Sequence, residues 1–566
     1  MVTFKALHIK SPDLSDTAYA SKSLGSGVKS ISTGFSFKMY SVTDRIIVVK
    51  LHTPTTLINL EATETSFELR YVAGTEKTVS LKPYDTKWHT VFILGLDNGT
   101  IIVIMDGEVV YSNNDFTPIP ESDTVTLYIG DTSSSSYAGE FLLTAIQVID
   151  EGNNTGLINE DFSDGTTGDL TPSASGNGSV TVDDITVNPI NVGKVSPQNI
   201  VDIVETILPY YKSILKMKPF MTVLTAIAVG KEAGIDTSNL ESEAQSLYDS
   251  LPKSNVSWLR NVPLHETVYG HLSAEWGTSQ VLYLLKLLCR YYGFCLASDL
   301  PKASEMLQNW PIEEENYYGS GAPRWCGRVN LDGSGVTGVN ANNQNIGFVN
   351  GILKSALIDG SINDTVNVSG FSGTVAEFVK NFIDAWKSKY PDLSSFQNDP
   401  YTKTTAQHTY YTATYFNATE IIWLLHRIGL IGDEVTDYID WVENVWGSTV
   451  PTLEKSVEHV GNIRVFGLAS YYYGAKSIIA NLKKETTVEP NASYPIFLIN
   501  PPLTVSPLMA IASHGIIIRR TPIVKKGDTF IIDNWLGRSI GLDGIELSNS
   551  TVAKVTKQNW KVVVSP

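Results

Sequence analysis

The chain has 566 residues, a formal net charge of −17 and only 18% charged residues. That length suits about three or four domains of roughly 100–200 residues, so a core of ordinary size needs no disulfide framework. The acidic balance excludes nucleic acid as the partner of most of the chain, and no stretch of the sequence is apolar enough for membrane insertion.

The charge is uneven. Residues 1–190 hold 24 Asp/Glu against 11 Lys/Arg, whereas residues 491–566 hold 8 Lys/Arg against 4 Asp/Glu. Sparse charge with abundant Ser, Thr, Asn, Tyr and Gly is the composition expected of a protein working outside the cell. Met1-Val2-Thr3-Phe4-Lys5 leads directly into strand-like sequence, so no export signal is expected.

Strand-like runs open the chain: Ser36–Val42, Arg45–His52, Ser66–Tyr71, Thr78–Leu81, Thr124–Ile129 and Glu140–Ile149. The sharpest signal lies from Trp88 to Val110, where apolar runs flank Asp97-Asn98-Gly99 and then Asp106-Gly107, both strong hairpin turns. This pattern of Trp88-His89, an apolar strand, Asp-Gly and a further apolar strand resembles the concanavalin A-like (laminin G-type) β-sandwich. The resemblance implies a jelly-roll domain over residues 1–150 that binds glycans or other proteins. Some members hold calcium; Asp97 and Asn98 stand on a suitable loop, although turn formation already accounts for them. No other cofactor is implied.

Residues 151–195 read as a Gly/Ser/Asn-rich linker with one last strand near Glu160–Thr166. From Ser196 the apolar period changes from two to about 3.6. Helices are predicted at 197–217, 219–234, 238–251, 275–295, 302–309, 345–358, 373–390, 414–429, 433–446 and 465–484. They make residues 196–487 an all-α domain of paired helices. The pairing resembles the α/α-toroid of polysaccharide lyases and some glycosidases, with a plain bundle as the alternative. An aromatic, Gly- and Asn-rich loop is expected from Trp310 to Asn345. Residues 488–566 read as a small basic β-domain with strands at Ile496–Ile499, Gly515–Arg520, Asp528–Asp533 and Lys561–Val564, and with a patch of Arg519, Arg520, Lys525 and Lys526. The fold class is therefore multidomain α+β: antiparallel sandwich, central all-α domain, small C-terminal β-domain.

Chemistry-bearing motifs are few. His265 and His271 flank Glu266 six apart, whereas a zincin helix needs four, so no metal site is expected. Cys289, Cys295 and Cys326 match no metal spacing, and Cys289 falls in an apolar helical run as a buried free thiol. No phosphate-cradling loop or GxSxG is present. Carboxylates for glycoside hydrolysis (Glu266, Glu275, Glu313, Glu314, Glu315, Asp332) are no more than any acidic protein offers. His408, Tyr410, Arg324 and Asn343 supply the residue types of a lyase: base, acid and two groups to neutralise a uronate. Tyr317, Tyr318, Trp325 and Tyr411 are candidate ligand-binding aromatics. Nine Asn-x-Ser/Thr sequons, at Asn98, Asn153, Asn177, Asn255, Asn363, Asn367, Asn417, Asn491 and Asn549, are glycosylation candidates.

The leading reading is a non-catalytic virion surface protein, a turret, spike or fibre, whose texture is similar to exterior proteins of archaeal viruses. Its expected partners are other virion proteins or further copies of itself in a symmetric assembly, and a host-surface glycan or protein. The alternative is an extracellular polysaccharide lyase or glycoside hydrolase carrying a carbohydrate-binding sandwich.

Overall fold

The computed structural model describes residues 2–448 except 107, 132–136, 154, 161, 163, 188–189, 192–196, 212–216, 264–272, 338–341 and 403–406. Beyond 448 it describes 475, 478–479, 482, 491–492, 529–531, 545–547 and 552–555. It divides into two compact units, one formed by residues 1–193 with short later segments and one that holds the helices.

The first unit is a two-sheet antiparallel sandwich. Its strands are β1 (Val2–Ser11), β2 (Thr17–Gly25), β3 (Ile31–Thr43), β4 (Arg45–His52), β5 (Leu57–Thr63), β6 (Ser66–Ala73), β7 (Thr75–Pro83) and β8 (Trp88–Gly95). They continue as β9 (Ile101–Met105), β10 (Glu108–Asn113), β11 (Val125–Asp131), β12 (Ala138–Asp150), β13 (Thr155–Glu160), β14 (Thr171–Ser175) and β15 (Ser179–Val187). One sheet runs β10-β9-β8-β3-β12-β1-β15, with β13 also on β12, and the other runs β14-β2-β11-β4-β5-β6-β7.

The period-2 alternation places every second side chain in the layer between the sheets. On β5, Ile58, Leu60 and Ala62 enter the core, which leaves Asn59 and Glu61 on the opposite face. Aromatic residues fill the core, as where Phe37 meets Phe67 edge-on at 5.5 Å. The Asp97-Asn98-Gly99 turn closes with Leu96 N–H donating to Thr100 O, and Gly99 takes a φ of 86° that a side chain would resist.

Two features of this unit differ from expectation. Residues 151–195 carry three strands of the sandwich: β15 pairs with β1 along its whole length and β14 pairs with β2. Their Gly- and Asn-rich flanks are tight turns, and the Asp183-Asp184 pair suits the sheet edge where β15 lies. Strands β2 and β5 also escape the hydropathy reading, because each mixes polar residues into its alternation.

The helical unit contains α1 (Pro197–Tyr211), α2 (Met217–Ala233), α3 (Ser238–Ser250), α4 (Glu275–Tyr292), α5 (Ala303–Asn309), α6 (Asn342–Asp359), α7 (Val375–Lys389), α8 (Leu393–Gln397), α9 (Gln407–Arg427) and α10 (Val435–Trp446). Helix α7 begins with a capping box between Thr374 and Glu377. Helix α6 is buried on nearly all sides, as a central helix must be, and it packs against α4 and α9. Short strand pairs accompany the helices: β17 (Ser273–Ala274), β20 (Arg328–Val329) and β21 (Gly335–Val336) form one sheet, and β22 (Thr365–Val368) pairs with β23 (Phe371–Thr374).

Within the expected loop from Trp310 to Asn345, residues 312–325 form a hairpin, β18 (Ile312–Gly319) with β19 (Ala322–Trp325), followed by β20 and β21, and α6 already begins at Asn342. Cys289 is likewise not a free thiol: it is bonded to Cys295. Helix α4 ends as Gly293 turns left-handed, at φ 71°, and the chain folds back so that the two Cα atoms lie 4.2 Å apart. Cys326 is free and buried.

Strand β16 (Ile190–Asn191) pairs with β24 (Asn491–Ala492), and β25 (Thr529–Ile531), β26 (Ile545–Leu547) and β27 (Val552–Val555) form a small C-terminal sheet. The other expected C-terminal strands, the basic patch and most of the helix at 465–484 lie outside the described residues. So does the His265–His271 segment. Among the described residues no helix is long and apolar enough to cross a membrane.

Candidate functional site

Three candidate aromatics of the helical unit, Tyr318, Trp325 and Tyr411, converge as core, while Tyr317 is half-buried. Trp325 is 0% exposed, Tyr411 1%, Arg324 2% and Tyr318 4%, so none is an open platform for a ligand. Tyr318 lies tilted against Trp386 at 4.5 Å, Trp386 continues to Phe396 at 6.5 Å, and Phe396 meets Tyr411 at 5.6 Å.

Arg324 lies under the Tyr401 ring at 3.6 Å and pairs with Glu313 at 3.0 Å and Glu314 at 3.4 Å. A guanidinium so enclosed has no face left to neutralise a uronate. Asn343 lies half-buried in the first turn of α6. His408 and Tyr410 belong to α9, and their side chains fall outside the described residues.

Asp399, which the sequence reading did not single out, is the hub beneath the hairpin. Its carboxylate accepts hydrogen bonds from the Tyr317 hydroxyl at 2.7 and 2.8 Å, Tyr390 at 2.9 Å, Asn342 Nδ2 at 2.8 Å and the Tyr401 N–H at 2.9 Å. Burial alone would raise its pKa, but these donors outweigh burial and hold the carboxyl below its ordinary value. Conversely, burial and the Asp399 charge push the Tyr317 hydroxyl far up, so it stays a neutral donor.

A second polar seam joins α4, α6 and α9. Lys354 and Glu420 are both buried and lie 3.3 Å apart. Asn350 Nδ2 donates to Glu420 Oε2 at 2.7 Å and to Asn417 Oδ1 at 2.6 Å, and the ammonium sits 4.5 Å from the Tyr283 ring. Burial pushes the Lys354 pKa down while Glu420 opposes the shift.

The sandwich carries the other polar constellation, on the outer face of the seven-stranded sheet. The ladder register aligns Ser21, Tyr128, Lys50, Asn59, Arg70 and Thr78 in one row across β2, β11, β4, β5, β6 and β7. Tyr19 meets Tyr128 edge-on at 6.0 Å, and the Lys50 ammonium lies 5.8 Å from the Tyr128 ring.

One residue pair along from Asn59, Glu61 is fully buried although it faces outward, with Arg45 at 3.2 Å and Arg70 at 3.6 Å. Asn59 Nδ2 donates to Glu61 Oε1 at 3.2 Å. Asn59 is only 3% exposed, and its Oδ1 accepts no hydrogen bond among the described residues. Arg45 and Arg70 make further pairs with Glu68 and Glu76. Burial, with the Lys50 charge beside it, holds the His52 imidazole below its ordinary pKa. The sequence signal for this face was the outward half of β4, β5 and β6: Lys50, Asn59, Glu61 and Arg70 interleave with core residues.

Six sequon asparagines, Asn98, Asn153, Asn177, Asn255, Asn363 and Asn367, are exposed. Asn417 is not available for glycosylation. Its amide donates to Ala413 O at 2.8 Å within α9, and Thr419 of the same sequon is buried. The side chains of Asn491 and Asn549 lie outside the described residues. Among the described residues no group of three or more His, Cys, Asp or Glu side chains is placed to hold a metal ion. Asp97 and Asn98 serve their turn: the Asp97 N–H donates to Ser30 Oγ, and Asn98 Oδ1 accepts from the Thr100 N–H.

No protein-family model matches this chain, and no curated protein matches it. Among solved structures it is similar to a SAP-like pentraxin of Limulus polyphemus, at 15% identity over 31% of this chain and 95% of the pentraxin, with a TM-score of 0.24. Domains LG4-5 of the mouse laminin α1 chain are 17% identical over 33% of this chain and 48% of theirs, with a TM-score of 0.23. The CBM40 module of a Ruminococcus gnavus IT-sialidase, solved with α2,3-sialyllactose, is 12% identical over 22% of this chain and 76% of its own, with a TM-score of 0.18.

Proposed function

We propose that this chain is a non-catalytic binding protein that holds a glycan on the outer face of the seven-stranded sheet. One observation carries the reading: polar and aromatic side chains from six neighbouring strands stand in a single row there, with Tyr128, Lys50 and Arg70 half-buried. Rigid strands hold the row, which is how a binding surface is kept in register. A protein partner would use the same donors and acceptors, but an aromatic ring beside amide and guanidinium groups suits a sugar better.

The wider setting that we infer is exterior display, as a turret, spike or fibre of a particle, with many copies offsetting weak single contacts. The low charge content and the exposed sequons support it. The lyase alternative loses Arg324, whose guanidinium is already enclosed.

The test is binding of the full-length protein to a panel of immobilised neutral and acidic polysaccharides, read alongside the ultraviolet absorbance of unsaturated uronate products. Binding without turnover that falls in Tyr128→Ala, with thermal unfolding unchanged, is the expected result. Turnover, or binding indifferent to Tyr128, would overturn the reading.

A further inference from the structure

Resting on that reading, we propose that the ligand of the sheet face is an internal stretch of a linear polysaccharide, laid across the strands from one edge of the sheet to the other, and not a free sugar or a chain end. Register comes first. Cross-strand partners share a face, so the row on β2, β11, β4, β5, β6 and β7 extends one strand further, from Ser21 to Thr171 of β14. It then crosses all seven strands, because β14 and β7 are the two outermost. At ~4.8 Å per step, six steps span about 29 Å, which is several pyranose rings long. Both ends of the row are open: Thr171 and Thr78, on the outermost strands, are exposed. A site that reads a chain end closes around that end, whereas a row with an exposed hydroxyl at either edge lets a chain run on in both directions.

Between the edges the contacts fall into two groups. In one, the half-buried Tyr128 ring has Tyr19 of β2 edge-on to it at 6.0 Å and the Lys50 ammonium 5.8 Å from its centre. Such a ring offers an apolar face to the C–H side of a sugar. In the other, the half-buried Arg70 guanidinium donates to the Tyr137 hydroxyl at 3.5 Å, which sets N–H donors beside a group that both donates and accepts, as sugar hydroxyls do. Tyr128 and Arg70 are three strand steps apart, about 14 Å at ~4.8 Å each, farther than one sugar reaches. Asn59 lies between them in the row but is buried, so a chain passing over it is held on either side of it. A free sugar or a disaccharide meets one group, and a longer chain meets both. Rigid strands fix the separation, so the second contact follows the first at little further entropic cost.

The experiment uses the full-length protein and defined oligomers, from disaccharide to hexasaccharide, prepared from whichever of galactan, mannan, glucan, polygalacturonate and chondroitin sulfate it binds. The expected result is an affinity that rises about tenfold from disaccharide to hexasaccharide, the worth of one further good contact, and that is unaltered when both terminal sugars are chemically modified. Arg70→Ala should cost the hexasaccharide about tenfold and the disaccharide less, while Tyr128→Ala weakens both. Thermal unfolding of each variant separates a folding defect from a lost contact. Because Arg70→Ala takes one cation from the buried Glu61, Arg70→Ala combined with Glu61→Gln replaces it if the single variant unfolds. Oligomers that bind equally whatever their length, or binding abolished by modifying the terminal sugars, with Tyr128→Ala still weakening it, would overturn the internal-stretch mode and leave the face as the glycan site. Binding to none of the polysaccharides, or binding indifferent to Tyr128, would overturn the proposed function as well.

Discussion

The hairpin network of the helical unit and the outer face of the seven-stranded sheet are built from the same residue types, yet they stand in opposite states. Beneath the hairpin, Asp399 accepts from four partners and Arg324 is enclosed by two carboxylates and a tyrosine ring. On the sheet, Tyr128, Lys50 and Arg70 stay half-buried. Polar groups closed under an aromatic layer hold a fold together, whereas half-buried ones on an outer sheet face are open to a partner. Residue type therefore says little about role, and exposure decides it.

The contrast predicts that substitutions in the helical unit change stability and leave binding alone, and that those on the face do the reverse. The largest effect is expected at the polar seam of α4, α6 and α9. Lys354→Met strands the Glu420 charge and should cost about 3–5 kcal/mol in chemical denaturation, while Lys354→Met with Glu420→Leu together recovers most of it. A double variant as unstable as the single one would show that the seam does more than compensate charge.

Asp399→Asn should cost about 2–3 kcal/mol at neutral pH, since hydrogen bonds to a charged acceptor are the stronger kind. Its acid dependence sharpens the comparison. The folded carboxyl titrates below its ordinary value, so its contribution is fully present above the unfolded value of about 3.9 and is lost as the pH falls through the folded value. The native protein is thus expected to lose this part of its stability below about pH 4, and Asp399→Asn to lack that part of the decline. Denaturation midpoints measured across that range decide it.

The smallest effect is expected at Arg70→Ala. One of its partners, Glu61, is fully buried but keeps Arg45, so the loss to the fold should be about 1–2 kcal/mol, and glycan binding should fall. A large loss of stability with binding intact would place the sheet face in the same class as the hairpin network.

Much of the architecture was legible in the chain. The change of period at Ser196 separates strands from helices, and the Asp97-Asn98-Gly99 turn is where its glycine requires it. Strands β14 and β15 were not, because a Gly- and Asn-rich segment looks the same whether its turns join strands or link domains, and only pairing with β2 and β1 distinguishes the two. The Trp310–Asn345 segment misled for a related reason. Its aromatic and polar content suits an open loop as well as a hairpin that buries Tyr318 and Trp325.

The sequence by itself determined the succession of a β-rich acidic part, a helical part and a small C-terminal sheet, because hydrophobic periodicity and turn chemistry act over a few residues and are written locally. The tertiary structure alone decided which polar and aromatic side chains are spent on the fold. Asp399, Tyr317, Asn342 and Tyr390 are far apart in the chain, and so are Tyr128, Lys50, Asn59 and Arg70. Whether such groups satisfy one another or face outward depends on register and burial, which no local pattern contains.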